Sequence, residues 1–100
     1  LYDTLGQNAI EFIIKHADIK VVVCAGKQLP NLLAVAPNCP NLKIIISMDA
    51  LTDQQRASAS TIKLLTFKEV VEDGAKRPRE QFPPRPQDIY TIMYTSGTTG

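Results

Sequence analysis

Ile10, Ile13, Ile14 and Ala17 recur at i, i+3, i+4 and i+7 between polar positions, the spacing that lines one face of a helix. Asn8 followed three residues later by Glu11 predicts a capping-box start, and Glu11 with Lys15 a favourable pair across one turn. A helix is therefore predicted over residues 8–17. Residues 19–24 are then β-branched and nearly all apolar, the pattern of a strand covered on both faces. Gly26 breaks that strand. Residues 30–36 predict a short helix, with Pro30 tolerated in its first turn and Pro37 ending it. Residues 42–47 repeat the apolar strand pattern. Residues 48–60 are polar and predict an exposed loop, and residues 61–65 predict a third, shorter strand. Thr66 and Glu69 form a second capping-box pair, Phe67, Val70 and Val71 supply an apolar face, and Gly74 suits the position just past a helix end.

Residues 75–88 break this rhythm. Pro78, Pro83, Pro84 and Pro86 forbid a helix or a central strand, so the segment predicts an extended connector. Residues 89–94, from Ile89 to Tyr94, then predict a final strand that feeds residues 95–100. Helix-like and strand-like segments thus alternate, which defines an α/β chain with a parallel sheet. The chain divides into an alternating part at 1–74, a Pro-rich connector at 75–88, and a strand with its following loop at 89–100. The strand order is left open.

Composition narrows the class. Apolar residues make up 44% of the chain and charged residues 21%, which is globular rather than disordered. A formal net charge of +1 supplies no field for nucleic acid. Cys24 and Cys39 have no CxxC partner or nearby histidine, so neither a disulfide framework nor a metal site is expected. Free thiols are in keeping with a reducing compartment. The sequence starts at Leu1 and stops after a glycine-rich turn, and so reads as a piece of a longer polypeptide.

The last residues carry the chemistry. Gly97 and Gly100 allow positive φ and close backbone approach to a ligand. Thr95, Ser96, Thr98 and Thr99 add four hydroxyls. Successive N–H groups in such a loop converge on phosphate oxygens, and the loop is expected at the carboxyl end of an apolar strand, where α/β sheets bind ligands. The string is not a Walker A loop, which requires G-x-x-x-x-G-K-[ST]. Thr95, Ser96, Gly97, Thr98, Thr99 and Gly100 are thus candidates for a phosphate cradle, against the plainer reading of a Ser/Thr/Gly string as a turn or flexible linker.

Tyr94-Thr95-Ser96-Gly97-Thr98-Thr99-Gly100 resembles the signature loop of the adenylate-forming (AMP-binding) superfamily. Leu1-Tyr2-Asp3-Thr4-Leu5-Gly6, the helix from Ala9 to Ala17, and Cys39-Pro40-Asn41-Leu42-Lys43 are similar to its long-chain fatty acid–CoA ligase branch. The resemblance implies a partial parallel-sheet subdomain of the large N-terminal domain of an adenylate-forming enzyme. It implies ATP, Mg2+ and coenzyme A, with a fatty acid activated first to acyl-AMP and then to acyl-CoA. Residues 95–100 would hold the β- and γ-phosphates. It further implies an intracellular parent at the cytoplasmic side of the endoplasmic reticulum, peroxisome or a similar membrane. Within the same fold the alternative is another carboxylate-adenylating enzyme; outside it, a truncated, non-catalytic nucleotide-binding or interaction fragment. The window holds no candidate for the family's aromatic-Gly-x-Thr-Glu motif, ribose-binding aspartate or C-terminal catalytic lysine. Residues 1–100 alone are therefore expected to be inactive and to fold poorly.

Other residues read as structural. His16, the sole histidine, sits beside the apolar stripe with no acid at ligand spacing, and is expected to pack or to cap its helix. Asp3 and Thr4 are expected in a turn. Lys76, Arg77, Arg79 and Arg85 decorate a solvated connector, and Tyr90 and Tyr94 are expected to pack in the sheet.

Overall fold

The computed structural model describes residues 5–59 and 61–95. Among these, strands β1 (Val21–Cys24), β2 (Ile44–Ser47) and β3 (Lys63–Thr66) form one parallel sheet in the order β1-β2-β3. Helices α1 (Gln7–His16), α2 (Leu29–Val35), α3 (Asp53–Ser58) and α4 (Phe67–Lys76) alternate with the strands. The predicted α/β class is what the chain adopts. The register aligns Val22 with Ile45 and Ile45 with Leu64, and then Cys24 with Ser47 and Ser47 with Thr66. The first row, together with Ile10 and Ile14 of α1 and Leu29, Leu32 and Val35 of α2, makes the core.

The α1 stripe buries Ile10, Ile13 and Ile14, and Glu11 pairs with Lys15 at 3.5 Å. The predicted capping box does not form. The helix starts earlier, with Gly6 as an extended N-cap making no side-chain bond, so Asn8 lies inside the first turn. At the other end the chain makes a Schellman turn. Asp18 takes φ 54°, its N–H donates to the Lys15 carbonyl at 3.2 Å, and the Ile19 N–H donates to the Ile14 carbonyl at 3.0 Å. That turn sends the chain directly into β1.

Strand coverage departs from expectation. Alternate residues of β1 face outward, with Val21 and Val23 about half exposed at 47% and 53%. The apolar run predicts two covered faces, but among the described residues the core helices occupy one face only. The predicted helix at 30–36 is α2, shifted by one residue. Pro37 does not end it abruptly, because the chain tightens into a 3-10 turn at Ala36–Asn38.

Residues 48–60 are not simply a loop. They contain α3, closed by a full capping box in which the Gln55 N–H donates to Thr52 Oγ1 at 3.1 Å and the Thr52 N–H donates to Gln55 Oε1 at 2.9 Å. The T-x-x-Q signal is present in the sequence. It passes as loop because α3 buries no residue and so carries no apolar stripe. Arg56 of this helix bonds Glu69 of α4, and that hydrogen bond holds the Glu69 carboxyl below the usual carboxylate range.

Thr66 caps α4 by accepting from the Glu69 N–H at 3.0 Å, which is the Thr66 half of the expected capping box. Gly74, however, lies inside α4 rather than past its end, since the helix runs on to Lys76. Arg77 Nη2 donates to both carboxylate oxygens of Asp73, at 2.6 and 2.7 Å, and supports this last turn. A Cβ at Gly74 would meet nothing within 4 Å. Gly74→Ala is therefore expected to stabilise the chain by about 0.8–1.0 kcal/mol through helix propensity alone, measured as a higher urea midpoint with unchanged m-value.

Beyond Arg77 the connector is extended and exposed, as the prolines require. One turn interrupts it, where the Arg85 N–H donates to Asp88 Oδ2 at 2.7 Å and the Asp88 N–H returns to the Arg85 carbonyl at 3.0 Å. Among the described residues, 89–95 pair with no strand, so the strand predicted at 89–94 has no partner there. A strand needs a neighbour with free backbone groups in register. The apolar run of 89–94 supplies the side chains for one but cannot supply the partner.

Candidate functional site

Thr95 is the one residue of the predicted cradle among the described residues, and it is exposed. Ser96, Gly97, Thr98, Thr99 and Gly100 lie outside them, as do Asp3 and Thr4. Among the described residues, Thr95 follows no paired strand. Instead, residues 89–95 run beside the last turns of α1. Leu5, Ile13, Ala17 and Ile19 line one side of an open apolar groove of about 910 Å³, and Ile92 and Tyr94 help to form the other. Residues 89–94 sit shallowly there, with Tyr90 and Met93 almost wholly in solvent. Tyr90 therefore does not pack in a sheet, contrary to expectation.

Tyr94 differs from its neighbours. It is half-buried, and its hydroxyl is hydrogen-bonded to His16 Nδ1 at 2.6 Å. The rings of His16 and Tyr94 meet edge to face at 5.8 Å, and Phe12 stacks on His16 at 5.3 Å with the planes 11° apart. The sequence places Phe12 and His16 four residues apart, so they share a helix face. Nothing in the sequence indicates that Tyr94, 78 residues on, joins them. His16 is thus neither buried nor a cap; it is exposed and engaged by two aromatic rings.

The carboxyl ends of the three strands hold a row of thiol and hydroxyl groups: Cys24, Ser47 and Thr66. Both hydroxyls are already committed. Ser47 is fully buried, and its Oγ donates to the Asp49 carbonyl at 2.9 Å and accepts from the Asp49 N–H at 3.2 Å. Asp49 Oδ2 in turn accepts from the Gly26 N–H at 2.7 Å. Thr66 caps α4. Burial, followed by the negative charge of Asp49, pushes the Cys24 thiol up. Burial likewise pushes up Cys39, with Glu11 adding and Lys15 opposing. Protonated, enclosed thiols are poor nucleophiles. Among the described residues no group of three His, Cys, Asp or Glu side chains could hold a metal ion, and both cysteines are free.

An alternating α/β chain with a parallel three-stranded sheet and a Ser/Thr/Gly string at residues 95–100 sets the structural class. The family model of AMP-binding enzymes matches residues 1–100, and the chain belongs to that family. It is 38% identical over 103 residues to "Long chain acyl-CoA synthetase 5" of Arabidopsis thaliana, and 35% identical over 102 residues to "Long chain acyl-CoA synthetase 6, peroxisomal" of the same organism. It is 38% identical over 105 residues to "Long-chain-fatty-acid--CoA ligase 5" of Mus musculus. In each case all of this chain is covered, but it spans only 15–16% of the relative's length. The three-stranded sheet and its helices are thus part of an AMP-binding domain.

Proposed function

We propose that the chain is part of a long-chain fatty acid–CoA ligase. The observation that carries this reading is similarity along the whole chain to relatives named as long-chain acyl-CoA synthetases or ligases. In the proposed reaction a fatty-acid carboxylate attacks the α-phosphate of Mg-ATP, forming acyl-adenylate and releasing pyrophosphate. The thiol of coenzyme A then displaces AMP. A carboxylate is a poor electrophile, and the mixed anhydride supplies a good leaving group.

In this scheme residues 1–74 form the scaffold, 75–88 the connector, and 89–100 the segment that presents the phosphate loop. Thr95, Ser96, Gly97, Thr98, Thr99 and Gly100 hold the β- and γ-phosphates with backbone N–H groups and hydroxyls, and offset the charge on the departing pyrophosphate. Mg2+ enters with ATP as part of the substrate. The proposed setting is intracellular, at the cytoplasmic face of a peroxisomal or endoplasmic-reticulum membrane. Two of the plant relatives are named as peroxisomal.

The test is fatty-acid-dependent pyrophosphate release from Mg-ATP by the longest polypeptide carrying residues 1–100. Release with hexadecanoic acid, and little with acetate or an aromatic acid, is expected. Gly97→Val places a branched side chain where the backbone must approach phosphate. It is expected to raise the KM for Mg-ATP about tenfold, equivalent to ~1.4 kcal/mol. Release with an aromatic or short acid but not with a long one would move the assignment to another carboxylate.

A further inference from the structure

Three lysines from separate stretches of chain meet at the amino ends of the strands. Lys20 and Lys43 stand one residue before the register partners Val21 and Ile44, and Lys63 pairs with Ile44 itself. Their backbones are joined directly. The Lys43 N–H donates to the Lys20 carbonyl at 2.8 Å, and the Lys63 N–H donates to the Lys43 carbonyl at 3.0 Å. Adjacent strands lie about 4.8 Å apart, so the row is about 10 Å across. Lys63 shares the outward face with the half-exposed Val21, while Lys20 and Lys43 hold the alternate positions just ahead of the core. All three lysines are exposed.

The row carries uncompensated charge. Lys15, Arg56, Arg77 and Arg85 each face a carboxylate, but among the described residues no carboxylate is paired with Lys20, Lys43 or Lys63. Lys43 Nζ donates only to a neutral acceptor, the Pro40 carbonyl, at 3.2 Å. Asp18 is the one acid within three residues of any of the three in the chain, and its Oδ1 is taken by Asn41 Nδ2 at 2.7 Å. Like charges on neighbouring strands repel, so the row costs stability until an anion meets it. Its width is about one Debye length at physiological salt, and the three charges therefore act on an anionic surface together.

We infer that Lys20, Lys43 and Lys63 form a docking surface for the anionic headgroups of a lipid bilayer. The choice of lipid rests on the ligase reading, whose fatty-acid substrate partitions into membranes; the charge row does not depend on it. Because the strands are parallel, their carboxyl ends, where α/β sheets bind ligands, all lie at the opposite end. Docking through the row leaves that end open. The formal net charge of the chain is only +1, so attraction to a membrane comes from this local row rather than from the chain as a whole.

The experiment uses the longest polypeptide carrying residues 1–100, with vesicles of phosphatidylcholine alone or mixed with phosphatidylserine. Two readouts are taken: partitioning by co-sedimentation, and the rate of amine labelling at each lysine. Each of Lys20→Gln, Lys43→Gln and Lys63→Gln is expected to lower partitioning onto the mixed vesicles about fivefold, and the triple variant about a hundredfold. Added salt should weaken the wild type in the same direction. A control triple, Lys68→Gln/Lys76→Gln/Arg79→Gln, removes equal charge from α4 and the connector and should partition as the wild type does. Mixed vesicles should slow labelling of Lys20, Lys43 and Lys63 but not of Lys68 or Lys76, a readout that holds even where another part of the polypeptide also anchors it.

Labelling of the three lysines that is unchanged by mixed vesicles would overturn the inference. So would equal losses in the two triple variants, or slowed labelling with phosphatidylcholine alone. Protection of the row by an acidic protein in place of the mixed vesicles would reassign the surface and overturn the lipid. If the row is protected by mixed vesicles but the polypeptide releases no pyrophosphate with any acid, the docking surface stands and the ligase reading falls.

Discussion

Ile45→Ala is expected to destabilise the chain by about 2–5 kcal/mol. Ile45 has no exposed surface and stands at the centre of β2, the middle strand, flanked in register by Val22 of β1 and Leu64 of β3. The helical face of the same core brings Ile14 and Leu29, both almost fully buried. With strands on both sides and helices above, the site has little freedom to collapse around a missing side chain, so cavity and transfer costs add. Total stabilities of small domains are only about 5–15 kcal/mol, and the loss is thus a large fraction of the whole.

Val23→Ala, on the outward face of the neighbouring strand, provides the contrast, with an expected change within about 0.5 kcal/mol. Urea unfolding of the longest polypeptide carrying residues 1–100 measures both. Equal losses at the two positions would contradict a sheet covered on one face.

Gly26→Ala is expected to cost about 1–3 kcal/mol by overpacking and by loss of a hydrogen bond. A Cβ at position 26 would stand 2.9 Å from Asp49 Oδ2 and 3.1 Å from Asp49 Cβ. Rotating the carboxylate relieves the first contact only, and breaks the 2.7 Å bond from the Gly26 N–H. Backbone movement at Asp49 is resisted in turn by Ser47, whose buried hydroxyl bonds both the N–H and the carbonyl of Asp49. Since both residues act on one contact, Gly26→Ala and Asp49→Ala should be sub-additive in a double-mutant cycle. Full additivity would show that Gly26 and Asp49 are energetically independent.

The accuracy of the sequence reading followed how local each signal was. The α1 stripe, the Glu11–Lys15 pair and the Thr66 cap involve residues three to seven apart, and each took its expected form. The Asn8 box failed although its residues match the pattern, because Gly6 took the cap position first. The α3 helix was missed despite its Thr52–Gln55 signal, because a helix without a buried face leaves no periodicity to read. The proposed phosphate cradle was legible as residue types, namely two glycines among four hydroxyls. Its support was not. A run such as 89–94 reads as a strand by composition, but whether it pairs depends on a partner elsewhere in space.

The sequence by itself determined the alternating α/β class, three of the four helices and the three paired strands to within a few residues, the extended Pro-rich connector, and resemblance to the AMP-binding family. These depend on periodicity, backbone restriction and short strings, all carried by neighbouring residues. Only the tertiary structure decided the strand order and register, the single covered face of the sheet, the commitment of Ser47 and Asp49 to each other and to Gly26, and the meeting of Tyr94 with His16. Each of these joins separate stretches of chain or turns on which surfaces remain uncovered. Their energies come from surfaces and hydrogen-bonding groups that meet after the chain has closed, so no local pattern records them.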